Sequence, residues 1–527
     1  MKKLLITMTI LLLFIAANAC EWSDESKVLP ENGHEDQSKS DDTNDKDPSD
    51  HDADNHDPDD QDGPTNGDAF VDDEGVGEKV GYFDFYYVND LHGAILEDGD
   101  RMGMAKIGNL LLEKQNANPD HTVILAGGDM VHGGMLAGET FGGAVVELMN
   151  MTKFDALVAG NHEFDWGLPM VTRYFLEENE HYMADFPLLG ANIHYKGTDQ
   201  IAEGIDPYTI IGRGNRSIGV IGTMGEGLES SILATFVEDY EFKSQAAIVE
   251  EYATYLREDH EVDMVVLLTH GGGWRIEAMD DPSLIDIVFD GHTHSPLITD
   301  AAGVPRMVSG AYGSHIGHVR YDFDEASTIS MQNLNQENES LLKTPHPEIQ
   351  SKIDAHLTEY SHLFETILTS DGAYGRFDLT LWIARLMESA SEADIAFHNS
   401  GGTRSDIDKA QSISVSTMYD VFPFDNALVT FDILGKHIDI NATASRSLFD
   451  IEADKTYRVA VHTYTFYHPN NDFSQAENIH VQSGVLIRNL MIEEMRLQSE
   501  IYAAFCVHNP PLISPQHIED REIEIQP

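Results

Sequence analysis

The sequence predicts an α/β fold, and three observations carry that reading. From residue 81 to about 320, short runs rich in Val, Ile and Leu alternate with helical stretches. Each run ends in Gly, Asn, Asp or His, so polar side chains would collect along one edge of a buried sheet, where α/β proteins bind ligands. Hydrophobic residues make up 41% of the chain and charged residues 23%, which is enough apolar surface for a packed core.

Residues 1–20, MKKLLITMTILLLFIAANAC, begin with Lys2 and Lys3, continue through an apolar run of 13 residues from Leu4 to Ala16, and reach small residues at Ala17 and Ala19. This is the pattern of a secretory signal peptide, its apolar run too short for a permanent membrane span. Cys20 resembles the lipidated cysteine of a bacterial lipoprotein signal. The expectation is export to the cell envelope, lipid-anchored if Cys20 is modified and otherwise periplasmic or secreted. Any membrane attachment would be through that lipid alone. Residues 21–80 hold 22 Asp and Glu against 4 Lys and almost no large apolar side chains, the composition of a disordered acidic tether.

In residues 81–343 the expected buried strands are Phe83–Val88, Thr122–Ala126, Ala156–Ala159, Ser217–Gly222, Met264–Thr269 and Ile285–Phe289, closed by a hairpin over 303–324. Residues 344–369 are expected to form a linking helix and hinge between the two domains, helical from 346. A second domain over 370–527 is expected to contain a helix near Leu379–Ser389 and strands near Ile395–His398, Leu428–Ile433 and Tyr457–Val461.

Acidic residues outnumber basic ones by 91 to 32, for a net charge of −59. A nucleic-acid polymer held on a basic surface is therefore excluded. Such a surface repels itself, and high salt would relieve it. Two cysteines exclude a disulfide-stapled scaffold and a thiolate zinc cluster.

The strand ends carry the chemistry. They read Asn89-Asp90-Leu91-His92-Gly93, Gly127-Gly128-Asp129, Gly160-Asn161-His162-Glu163-Phe164-Asp165, Thr269-His270-Gly271-Gly272 and Asp290-Gly291-His292-Thr293-His294. One such cluster is most often a turn. Five in succession, mixing carboxylate, amide and imidazole ligands without cysteine, point to zinc, manganese, iron or magnesium. The adjoining glycines let the backbone turn tightly.

The order of these strings resembles the calcineurin-like metallophosphoesterases. Asn89–Gly93 and Gly160–Asp165 resemble the 5′-nucleotidase branch, which includes UDP-sugar hydrolases. The resemblance implies a four-layer α/β/β/α sandwich, a smaller α+β C-terminal substrate-binding domain, and two divalent metal ions (zinc, manganese or similar). It implies that Asp90, His92, Asp129 and His294 hold one metal and that Asp129, Asn161, His270 and His292 hold the other, with Asp129 bridging. Paired cations can activate a shared water for in-line attack on phosphorus. His162 would face the phosphate, oriented by Asp165, while Glu163 reads as structural support. His132 could line the site or be incidental.

In the C-terminal half, Asn399-Ser400-Gly401-Gly402-Thr403-Arg404 resembles the family's phosphate-binding string, placing Asn399, Gly402 and Arg404 at the substrate. Arg376 is a looser match to a second phosphate arginine. Phe424 and Phe466 resemble the stacking pair for a nucleobase, and Asp472 the sugar-binding aspartate. The string His468-Pro469-Asn470-Asn471-Asp472-Phe473 departs from the family's glycine-rich loop. The implied activity is release of phosphate from nucleoside 5′-monophosphates, with nucleoside di- or triphosphates or UDP-sugars also open. A 2′,3′-cyclic-nucleotide phosphodiesterase with 3′-nucleotidase activity is the enzymatic alternative. A non-catalytic nucleotide-binding surface protein is the alternative of another class.

Overall fold

The computed structural model describes residues 78–176, 182–323, 328–438, 444–447 and 450–519. The signal peptide, Cys20 and most of the acidic tether lie outside the described residues. Lys79 onward is one compact unit.

The strands of its two large sheets are β1 (Tyr82–Val88), β2 (Thr122–Ala126), β3 (Ala156–Val158), β4 (Leu188–Leu189), β5 (Tyr208–Arg213), β6 (Arg216–Met224), β7 (Met264–His270), β8 (Ile287–Phe289), β9 (Leu297–Ala301), β10 (Val304–Val308), β11 (Ile316–Asp322) and β12 (Thr328–Leu334). One sheet runs β12-β11-β1-β2-β3-β4, and the other β9-β10-β8-β7-β6-β5. In the first, β1, β2, β3 and β4 are parallel. In the second, β6, β7, β8 and β10 are parallel. Antiparallel strands close the edges.

The sheets pack face to face. Alternate residues Phe83, Phe85 and Tyr87 of β1 meet Val220 of β6, Val266 and Leu268 of β7 and Phe289 of β8 in one fully buried core. Each such side chain contributes roughly 1.5–3 kcal/mol. The residues between them face the other way. In the second sheet, Ile221, Val265 and Leu267 pack under Val249, Ala253 and Leu256 of helix Gln245–Glu258. Helix Gly103–Ala117, buried through Ile107, Leu110 and Leu111, lies against the first sheet at β2. This is the expected four-layer sandwich.

The segment 303–324 is not a hairpin. β10 pairs with β8 and β9 in the second sheet, whereas β11 pairs with β1 and β12 in the first. Residues 309–315 carry the chain across between sheets. Gly310, Tyr312 and Gly313 there have φ of 91°, 53° and 65°, the same local signature a tight turn would leave in sequence. The linking helix is also shorter than expected, spanning Pro347–Glu359. Residues Leu368–Thr369 instead pair with Ser412–Ile413, as β-branched Thr366, Ile367 and Thr369 favour.

Beyond it, β13 (Ile395–Asn399), β14 (Ala427–Leu434), β15 (Ala444–Arg446), β16 (Thr456–His462) and β17 (Glu477–Leu486) form a sheet in the order β15-β13-β16-β14-β17. Its core is Phe397, Val429, Phe431, Val459 and Val461. Helix Arg376–Ser391 packs against it.

Candidate metal centre and active site

Because β1, β2, β3, β7 and β8 run parallel within their sheets, their C-terminal ends deliver the polar strings to one edge. Asp90, His92 and His294 gather there, as do Asp129, His270 and His292, each trio with ligand atoms within 4.8 Å of one another. Asp129 also groups with His92 and His162, so it stands between the two clusters. His92 Nε2 lies 3.0 Å from His294 Nε2, and Asn161 Oδ1 lies 3.1 Å from His292 Nδ1. All seven residues implied as ligands are brought together.

The donor set fits divalent cations. His270 Nδ1 lies 2.8 Å from the Gly127 carbonyl, which fixes its proton there and turns the Nε2 lone pair toward Asp129 Oδ2, 3.0 Å away. Two acceptors face each other in a buried place, and something positive must lie between them. Asp90 Oδ1 and His270 Nε2 are both buried without a hydrogen-bond partner. Burial alone would lower the His270 pKa, yet the charges of Asp129 and Asp90 push it up to about 10. A divalent cation can replace that proton. Burial and the neighbouring histidines hold His92 well below the usual range and His292 down to about 4, leaving neutral imidazoles as metal binding requires.

The backbone is bent to present these groups. Asp90, His92, Asp129, His292 and His294 all have positive φ, between 49° and 72°, a region non-glycine residues seldom occupy and that clusters at functional sites. The Glu163 carboxylate holds the turns in place, accepting from the backbone N–H groups of Asp129, Met130 and Gly160 at 2.7–2.8 Å. Asp290 does the same for Gly271, Gly273 and Gly291, and its charge is met by Arg306.

His162 stands beside the cluster with Nε2 4.0 Å from Asp129 Oδ2. Its Nδ1 lies 2.6 Å from Asp165 Oδ2. Burial would lower its pKa, but Asp165 and Asp129 raise it above the ordinary value. His132 shares the same carboxylate, with Nδ1 3.0 Å from Asp165 Oδ2.

The C-terminal sheet meets this edge. Arg404, Phe424 and His132 line a cavity of about 280 Å³ together with His92, Arg101 and Tyr312. Arg404 and Phe424 also border a second cavity of about 200 Å³, walled by Phe236, Asn399, Gly402, Asn426, His462 and Tyr464 and touching Asp165. Beneath its loop, His462 Nε2 lies 2.9 Å from Asn399 Oδ1 and 3.1 Å from His398 Nδ1. Burial pushes His462 down to about 3, so this supporting pair is neutral. Arg376 sits farther out, lining a shallow depression with Arg101, Arg404 and Lys409.

Phe466 and Asp472 line neither cavity. Phe466 stacks on Phe473 at 5.6 Å and packs on Phe431, and Asp472 caps the N–H of Ser474. The reason is helical phase. Residues 463–467 form a short helix, in which residues two apart point roughly 200° apart. Tyr464 therefore faces the cavity and Phe466 the core.

Comparison with known proteins agrees with this geometry. A family model of the calcineurin-like phosphoesterases matches residues 83–296, and one of the 5′-nucleotidase C-terminal domain matches residues 369–441. The two matches together give the chain a calcineurin-like phosphoesterase domain followed by a 5′-nucleotidase C-terminal domain. The phosphoesterase match implies divalent metal ions, for which the Asp and His clusters are suited. Among relatives, the trifunctional nucleotide phosphoesterase protein YfkN of Bacillus subtilis is 27% identical over 406 residues, covering 67% of this chain but 27% of that protein. Human 5′-nucleotidase is 24% identical, with 75% of this chain and 74% of the human one aligned. The chain thus spans about a quarter of the first relative's length and three quarters of the second's. The fold matches a 5′-nucleotidase precursor from Thermus thermophilus with a TM-score of 0.66 at 16% identity, covering 79% of this chain and 97% of the other.

Proposed function

We propose that this chain is a nucleotidase that removes phosphate from nucleoside 5′-monophosphates. The observation that carries the reading is the adjacency of two unlike surfaces. The metal-ligand cluster with His162 is one, and a cavity bordered by Arg404, Phe424 and Tyr464 is the other. A phosphate at the first would leave its nucleoside in the second.

Asp90, His92, Asp129 and His294 would hold one divalent cation, and Asp129, Asn161, His270 and His292 the other, zinc or manganese by donor type. Such ions, when bound, screen phosphate charge and make water in the site more acidic. The protein's own groups do the rest. Asp165 fixes Nδ1 of His162, so Nε2 faces the phosphate position and can hold a proton for the leaving oxygen. Arg404 supplies a planar, permanently charged fork for phosphate oxygens. Asn399 and Gly402 shape the wall beside it. Phe424 and Tyr464 offer faces on which a base can stack.

The reading extends to location. The chain would be exported, lipid-anchored at the cell envelope if Cys20 is modified and otherwise periplasmic or secreted. Among the described residues no helix is long and apolar enough to cross a membrane.

The test is phosphate release from AMP, 3′-AMP, 2′,3′-cyclic AMP, ATP and UDP-glucose with manganese or zinc present, products that keep their phosphate being followed by chromatography. AMP should turn over fastest and chelator should abolish it. Preference for cyclic AMP or 3′-AMP would sink the 5′ assignment while keeping the metal chemistry.

A further inference from the structure

We propose that Tyr312 is a positioning residue of the phosphate site, aiming Arg404 from the C-terminal region at the metal-ligand cluster. The proposal rests on the phosphohydrolase reading above and goes beyond it by naming the residue that aims Arg404 across the two halves of the site.

Tyr312 lies on the crossing segment between the two sheets, in a place where four kinds of contact meet. Its backbone N–H donates to the carbonyl of Asp90 at 2.7 Å, which locks it to the first ligand string. Its ring lies 5.0 Å from that of His92 and 5.5 Å from that of His294. Its hydroxyl accepts from Arg404 Nη2 at 3.0 Å across 92 residues of chain. The Arg101 guanidinium covers the ring face at 4.7 Å. Its φ of 53° is one a bulky side chain seldom adopts unless its surroundings demand it.

The chemistry of the partner explains why a tyrosine suits. The same cavity holds Asp98 and Asp420, and a free guanidinium would be drawn to them. A carboxylate partner would neutralise Arg404 before phosphate arrived. A phenol oxygen accepts a hydrogen bond and leaves the positive charge intact. Arg404 makes no ion pair with a carboxylate among the described residues. The sequence resemblance supplies an arginine at 404 but nothing that says what aims it.

The experiment uses the manganese-loaded full chain and inorganic phosphate as the probe. Tyr312→Phe keeps the ring against His92 and His294 and removes only the acceptor. Calorimetric titration should show phosphate binding roughly tenfold weaker in this variant, with manganese content unchanged. The KM for AMP should rise by a similar factor, with kcat within about threefold. In an Arg404→Ala background, adding Tyr312→Phe should change nothing further, because the two residues act as one unit. Three results overturn the proposal: wild-type phosphate affinity in Tyr312→Phe, an undiminished effect of that substitution without Arg404, or loss of manganese from the variant. A wild-type chain that takes up no phosphate overturns it as well. A wild-type chain that binds phosphate yet hydrolyses no nucleotide defeats the nucleotidase reading instead, and the titrations still decide the role of Tyr312.

Discussion

Phe424 lies nearly flat on His132, with ring centroids 5.5 Å apart and planes inclined by 20°. One residue comes from the loop before β14 and the other from the loop after β2, so aromatic stacking joins the two halves of the site directly. The rest of Phe424 borders both cavities. Phe424→Ala should raise the KM for AMP by about 10- to 100-fold, as loss of one base-stacking surface does. Phe466→Ala should leave that KM unchanged and lower stability by about 2 kcal/mol through its contacts with Phe431 and Phe473. Steady-state kinetics and thermal melts on the two variants separate the roles. A KM effect from Phe466 alone would restore the pairing that the sequence resemblance implies.

Asp129 should be indispensable. It faces His270 and His162 and groups with ligands of both clusters. Asp129→Ala is expected to bind less than one equivalent of manganese where the wild type binds two, with turnover reduced by at least about 10³-fold. Metal content after desalting and phosphate release give the two readouts. Two retained metals would place the bridge elsewhere.

Asp165→Asn tests the orientation of His162. The carboxylate contacts both His162 and His132, and an amide cannot serve both N–H groups equally. The expected outcome is a fall in kcat of about 10²–10³-fold with little change in KM and full metal content. A change confined to KM would move Asp165 from chemistry to binding.

Stability toward acid has a readable source away from the site. Asp84 on β1 is bonded to His318 and Arg320 of β11 at 2.8 and 2.6 Å. Burial opposes its charge, but these partners lower its pKa to about 2, below the unfolded value of about 3.9. The stabilisation is complete above about pH 4 and is lost as pH falls through about 2. Because the Arg320 side chain is 47% exposed, solvent screening limits the effect to about 1 kcal/mol. Asp84→Asn should be less stable than the wild type by that amount at pH 7, with the gap closing between pH 4 and pH 2 in urea melts. A gap that persists at pH 2 would assign it to packing.

The clustering of these polar side chains was legible because strand ends are a sequence feature. A buried run of β-branched residues stops at a polar string, and parallel strands bring those strings together whatever the loops do. Pairing partners were less legible. Residues 303–324 carry turn signals that suit a hairpin, yet strand pairing is decided by distant strands, here β8 on one side and β1 on the other. The strand β17 escaped notice because most of its side chains are exposed and show little apolar alternation. Tyr312 left no local signal of its role, since its partners lie 220, 211 and 92 positions away at His92, Arg101 and Arg404.

The left-handed residues at the metal-ligand edge carry a consequence for anyone who engineers this protein. Wherever His292 or His294 stands, glycine would adopt the same backbone at less cost, by of order 1 kcal/mol or more at each position. A screen that rewards only yield or melting temperature would therefore favour glycine at those positions and quietly dismantle the enzyme. His292→Gly should melt higher than the wild type in chelator and be inactive in manganese. Directed evolution of this scaffold has to select on turnover from the first round.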